Sequence, residues 1–138
     1  MSSYRLYCFG ESGNSYKAAL MVQLCGYAWE PVFVDFFGGQ TRDDKYRGEI
    51  NEFGEAPVLE FDGKRITQSG TILTYLSEVS GKFGGETQDE RLQILSWILF
   101  DNHKFTSYYA TLRFMVGLTK TGDPAVIDFL RKRTLSAF

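Results

Sequence analysis

Apolar residues between Ser15 and Cys25 fall at Ala18, Met21, Val22 and Cys25, which is one stripe of a 3.6-residue helix. Ala19, Leu20 and Leu24 add a second face, so the pattern predicts a helix buried on two sides, with Gly26 as its stop. Before it, residues 4–9 (YRLYCF) form a run of β-formers, broken by Gly10-Glu11-Ser12-Gly13-Asn14. After it, residues 29–35 (WEPVFVD) predict a second strand, residues 36–40 a loop, and residues 41–50 a polar, weakly helical stretch. Residues 58–61 (VLEF) and 64–67 (KRIT) then flank Asp62-Gly63. An Asp-Gly pair between two extended runs predicts a hairpin, because a type I′ turn needs positive φ at both central residues. Gln68-Ser69-Gly70 opens the next helix, whose apolar positions are Ile72, Leu73, Tyr75 and Leu76 and whose stop is Gly81. Ser69 is placed to cap it. Free N–H groups and the positive end of the helix dipole would face outward there, a ready place for a carboxylate.

The second half of the chain is helical throughout. Residues 82–86 (KFGGE) read as a linker, and Thr87-Gln88-Asp89-Glu90 as a capping box. One long helix to about Val116 is expected, carrying Leu92, Leu95, Leu99 and Leu112. A turn over 117–123 leads to Pro124, which suits the first position of a further amphipathic helix over 125–135. Two helices are too few for a bundle of their own, so the chain is expected to be part of a longer protein. The domain expectation is 1–82 and 87–138.

At 138 residues with 43% hydrophobic and 23% charged residues, the composition is globular. A net charge of −2 gives no footprint for nucleic acid. Aromatic content is high at 16%, which suggests apolar pockets or interfaces. No apolar run long enough to span a membrane occurs, and the first residues show no basic-then-apolar leader, so a cytoplasmic protein is expected. Cys8 and Cys25 read as free, buried packing thiols of a reducing compartment. Neither sits in a C-x-x-C or metal-ligand spacing, so no metal is expected.

Pro57 stands directly before the first hairpin strand. An X-Pro bond at a strand entry can be cis, and it would leave the Ala56 backbone N–H and C=O to pair with an extended ligand. Ala56-Pro57, the hairpin and Gln68-Ser69, in that order, resemble the glutathione-binding half of the cytosolic glutathione S-transferases. The resemblance is strong up to about Gly81. It implies a thioredoxin-like α/β domain (βαβαββα) followed by the start of an all-α C-terminal domain. It also implies glutathione as co-substrate. Ala56, where the family usually has Val, would pair backbone to backbone with the cysteinyl part, and Gln68 and Ser69 would hold the γ-glutamyl end. By spacing, Gln40 and Thr41 fall where the family binds the glycine carboxylate; both are uncharged, so Arg42 or Lys45 is an alternative source of a cation. The family's later Asp-containing capping motif has no match here.

Thioredoxins place C-x-x-C after the first strand, where this chain has Ser12-Gly13-Asn14-Ser15. Serine exchanges no disulfide, but a hydroxyl or amide at a helix N-terminus can donate to a thiolate that the dipole already favours. Serine-type transferases suggest Ser12 for this role. A group related to a yeast nitrogen regulator suggests Asn14. Both residues also suit a plain helix cap. Tyr7 does not match the tyrosine-type class. His103 reads as a surface or interface histidine, Asp101-Asn102 resembles an acid–amide pair of related bacterial proteins, and Arg131-Lys132-Arg133 reads as a solvated helix end. The expected activity is glutathione conjugation to a small apolar electrophile by a homodimer. The competing expectations are a glutathione-dependent lyase or peroxide reductase, and a non-catalytic interaction module.

Overall fold

A computed structural model describes residues 3–138. The chain divides into two compact units, one reaching to Gly84 and one running from Gly85 to Phe138.

The first unit runs β1 (Tyr4–Cys8), α1 (Gly13–Cys25), β2 (Trp29–Phe33), a short 3-10 turn (Gln40–Arg42), α2 (Asp44–Glu49), β3 (Val58–Phe61), β4 (Lys64–Thr67) and α3 (Ser69–Ser80). The sheet order is β2-β1-β3-β4, with β1 and β2 parallel and the other two pairs antiparallel. This is the thioredoxin-like arrangement. Asp62 and Gly63 both have positive φ (46° and 72°), as the hairpin turn requires. Gly26 and Gly81 end α1 and α3 in left-handed conformations.

Alternation along the strands sorts two layers. Tyr4, Leu6 and Leu59 face α1 and α3 and pack with Ala18, Val22, Cys25, Ile72 and Leu76. Tyr7, Val34 and Val58 on the other face pack with Tyr46 of α2. Arg5 and Glu60 share that second face, and with Glu30 and Arg65 they form a row of alternating charge crossing all four strands.

The structure corrects several expectations. Helix α1 is buried on one side only in its unit: Leu20 and Leu24 are 42% and 53% exposed. Strand β2 ends at Phe33, two residues earlier than expected: Val34 N–H still bonds Cys8 C=O of β1, and Phe36 N–H then turns back to Val34 C=O. Cys25 is buried as expected, but Cys8 is only partly so.

In the second unit α4 (Gln88–Phe100) begins with the capping box, Glu90 N–H donating to Thr87 Oγ1 and Thr87 N–H to the Glu90 carboxylate. The expected long helix runs on to Thr119, but not as α-helix throughout. The turns widen to π-helix over Asp101–Ala110, return to α in α5 (Thr111–Arg113), and widen again over Phe114–Thr119. Hydroxyls follow the wider spacing: Ser107 donates to Asn102 C=O and Thr119 to Phe114 C=O, each five residues back. Helix α6 (Pro124–Leu135) opens with Pro124 behind an Asp123 cap, whose carboxylate accepts from Ala125 N–H. Among the described residues no helix is long and apolar enough to cross a membrane.

Candidate functional site

The first unit brings the N-termini of α1 and α3 together. Ser12 is the N-cap of α1, and its Oγ accepts from Ser15 N–H at 3.1 Å. Its own O–H proton is not used in that bond, so Ser12 can cap the helix and still donate outward. Asn14, in the first turn, meets α3 across 55 positions of sequence: Ser69 Oγ donates to Asn14 Oδ1 at 3.4 Å.

Ser69 is not the cap that its position in the sequence predicts. It is the first residue of α3, and the capping position falls on Gln68, with φ 68° and ψ 120° and no side-chain cap bond. A non-glycine residue held there costs on the order of 1–3 kcal/mol, and such residues cluster at functional sites. With no side-chain cap, the first N–H groups of α3 stay directed outward.

The Ala56–Pro57 peptide is cis, as the sequence suggested. Ala56 lies just outside the sheet, since the β1–β3 ladder reaches only to Val58 opposite Tyr7. The segment before it is pinned tightly. Glu55 C=O accepts from both Tyr46 Oη and Asn51 Nδ2, each at 2.9 Å, while Asn51 Oδ1 accepts from Phe53 N–H. Burial pushes the Tyr46 phenol up to about 12, so it stays protonated and donating. Gly54 has φ +66°, and a Cβ there would lie 2.6 Å from Thr41 C=O, so only glycine fits. Glu55, Asn51 and Tyr46 were not picked out from sequence. An Asn opening a loop was the one local signal, and Tyr46 gave none.

Gln40 and Thr41 lie on the 3-10 turn. Gln40 Oε1 accepts from Asp35 N–H at 2.7 Å, which holds the loop after β2, and Thr41 is buried. Arg42 and Lys45 are exposed nearby in sequence. Burial pushes the Cys8 thiol up, away from thiolate character. Cys25 is packed beneath α3, its Sγ 3.3 Å from Ser80 Oγ. Just before Ser12, Phe9 stacks on Phe36 with ring centres 4.6 Å apart, and Phe37 meets both edge-on. Among the described residues no three His, Cys, Asp or Glu side chains converge in a way that would hold a metal.

In the second unit, His103 and Lys104 flank Tyr108, and Arg133 donates to the Tyr108 hydroxyl at 2.9 Å. Asp101 opens the π-helical stretch, with exposed Asn102 beside it.

A thioredoxin-like sheet, the Ala56–Pro57 peptide at the strand entry and a polar helix start at Gln68-Ser69 thus occur together in the first unit. A family model described as the N-terminal domain of glutathione S-transferase matches residues 2–78. The chain belongs to the glutathione S-transferase family. It is 31% identical over 132 residues to maleylacetoacetate isomerase of Rhizobium meliloti, covering 92% of this chain and 61% of that protein. It is 29% identical over 118 residues to Protein LigF of a Sphingobium species, covering 83% of this chain and 46% of the relative. The chain thus spans between about half and three-fifths of these curated relatives. A solved glutathione S-transferase from Pseudomonas fluorescens superposes with a TM-score of 0.87 at 31% identity, over 97% of this chain and 67% of that one. Ure2p in complex with glutathione superposes at 0.83 with 18% identity, over 97% and 64%, a likeness of fold alone.

Proposed function

We propose that this chain is the glutathione-binding part of an enzyme that uses glutathione as a thiolate nucleophile against a small apolar electrophile. The observation that carries this reading is the meeting of Asn14 and Ser69 at two helix N-termini, on the same unit as the cis Ala56–Pro57 peptide. Both dipoles favour negative charge. In this reading the γ-glutamyl carboxylate lies on the first N–H groups of α3 and on Ser69, with Gln68 beside it. The cysteinyl backbone pairs with Ala56. The thiol lies at the start of α1, where Ser12 or Asn14 donates to it. The glycine end runs toward Gln40 and Thr41, with Arg42 or Lys45 as the nearby cation. The Phe9–Phe36–Phe37 cluster supplies apolar surface next to the thiol for the electrophile.

The domain division 1–82 and 87–138 belongs to the same reading, as do a homodimer of the full-length protein and a cytoplasmic location. A second chemistry is favoured by the 31% identity to an isomerase. There the thiolate would add to an unsaturated carbon and leave again, so that glutathione is not consumed. Calorimetric titration of the full-length protein with glutathione tests the binding reading, with a Kd below about 1 mM expected. No heat and no competition by S-alkylated glutathione up to several millimolar would overturn it. Assay of conjugation and of cis–trans isomerisation, each with glutathione consumption followed, separates the two chemistries.

A further inference from the structure

We propose that Lys104, Tyr108 and Arg133 form a binding site on the second unit for an oxyanion, the carboxylate or phosphate group of a small organic molecule. Arg133 Nη2 donates to the Tyr108 hydroxyl at 2.9 Å, and its guanidinium lies over the Tyr108 ring, 4.9 Å from the centroid. The Lys104 ammonium lies 5.8 Å from the same centroid. All three residues are half-buried, so Arg133 is not the solvated helix end that its sequence context predicts. Among the described residues no carboxylate is bonded to either cation. Other cations of the chain are matched: Arg5 and Arg65 share Glu60, and Lys132, next to Arg133, pairs with Asp128 at 2.6 Å.

Helix geometry accounts for the gathering. In the π-helical stretch Asp101–Ala110 a turn holds one residue more than an α turn, so the residues four and five positions back both lie against Tyr108. These are Lys104 and His103, whose ring meets Tyr108 edge-on at 6.1 Å. Helix α6 supplies Arg133 from 25 positions away. Wide turns of this kind are rare and concentrate at functional sites. The chemistry of the cluster is one-sided. Lys104 and Arg133 only donate, and Arg133 spends one N–H on Tyr108. Because the Tyr108 oxygen accepts that bond, its own proton is left to donate elsewhere. The bond from Arg133 also holds the Tyr108 phenol below its usual range, which makes it the stronger donor. Two like charges beside one ring repel each other, and the π face offsets only part of that repulsion. An oxyanion at the hydroxyl end neutralises both cations and takes donors from all three side chains. A cation is repelled there, and a neutral molecule gains nothing from the charge.

The experiment titrates the full-length protein by calorimetry with benzoate, phenyl phosphate and neutral benzyl alcohol. Excess S-methylglutathione is present throughout, so that a glutathione site does not contribute. At least one of the two anions is expected to bind with a Kd of about 1 mM or below, roughly tenfold or more tighter than benzyl alcohol. Lys104→Gln and Arg133→Gln should each weaken that anion by about fivefold to tenfold, and Tyr108→Phe by about threefold, with benzyl alcohol unaffected. Arg133→Lys keeps the charge and should recover part of the loss, which a mere packing defect would not allow. Preference for benzoate assigns the site to carboxylates and preference for phenyl phosphate to phosphates; either upholds the proposal. Binding of neither anion, or of both no tighter than benzyl alcohol, overturns it. Wild-type affinity kept in Lys104→Gln or in Arg133→Gln overturns it as well. Lys104 touches only the Tyr108 ring, so its replacement leaves the fold intact and decides the matter if Arg133→Gln does not fold.

Discussion

Replacing Glu60 by Gln is expected to destabilise the protein at neutral pH and to matter far less in acid. Glu60 sits on β3 with its side chain only 15% exposed, between Arg5 Nη1 at 2.8 Å and Arg65 Nε at 2.7 Å. The Tyr7 hydroxyl adds a longer bond at 3.3 Å. Both arginines are about two-fifths exposed, at 44% and 40%, so each ion pair is discounted to the surface range of about 0.2–1 kcal/mol. With the tyrosine bond, Glu60→Gln should cost about 1–2 kcal/mol at pH 7. The pH dependence comes from the carboxyl group itself. Burial opposes its ionisation, but the hydrogen bonds from Arg65 and Arg5 outweigh burial and hold it below the usual carboxylate range. A folded value below the unfolded one gives stability that is fully present above the unfolded value of ~4.3 and is lost as pH falls through the folded value. Urea unfolding of both proteins, followed by far-UV circular dichroism at pH 7 and pH 3, is the assay. The reasoning is refuted if the two midpoints coincide at pH 7, or if the gap between them is the same at pH 3.

Three further outcomes are expected. Leu59→Ala, which opens a cavity under α1 and α3 where Leu59 is fully buried, should cost about 2–5 kcal/mol in urea unfolding. Gln68→Gly should relieve the left-handed backbone and raise stability by about 1 kcal/mol while weakening glutathione binding; a loss of stability would show that no strain is stored there. Ser12→Ala removes the cap on Ser15 N–H, costing about 1 kcal/mol of stability. In the pH profile of conjugation with an aromatic electrophile it should also raise the apparent pKa by about 1, the effect of losing one bond to a charged sulfur. An unchanged pKa in Ser12→Ala beside a raised one in Asn14→Ala would assign the thiol contact to Asn14 instead.

Features that depend on neighbouring residues were legible in the sequence. Asp62-Gly63, Gly26 and Gly81 occupy backbone conformations that few residues tolerate, so the residue type itself announces the turn or the stop. Thr87 and Glu90 cap one helix from within four residues, and Pro124 fits a helix start because it lacks the N–H that would go unpaired there. Features that depend on distant partners were not legible. Periodicity marked Leu20 and Leu24 as an apolar face, but it carries no information on whether anything in the same unit covers that face. Ser69 has the chemistry of a cap, yet the hairpin delivers Gln68 into a left-handed turn and shifts the helix start by one residue. The Asn14–Ser69 contact, the Glu55–Gln68 bond and the Arg5–Glu60–Arg65 row all join segments whose pairing is set only once the sheet has formed. Gln40 shows the same limit: its type suits a ligand contact, while its amide oxygen is occupied by Asp35 N–H.

The widened turns after Phe100 bear on how this chain withstands changes in length. In an α-helix each residue turns the chain by ~100°, so losing one residue within Gln88–Phe100 would swing every later side chain onto a different face. A π turn holds one residue more than an α turn. Deleting one residue from Asp101–Ala110 can be absorbed by tightening a wide turn to an ordinary one, with Thr111–Arg113 and the residues beyond kept in phase. The stretch around His103 is thus a reserve of slack in the helix, where an insertion or deletion changes the side chains presented locally without re-aiming those nearer the C-terminus.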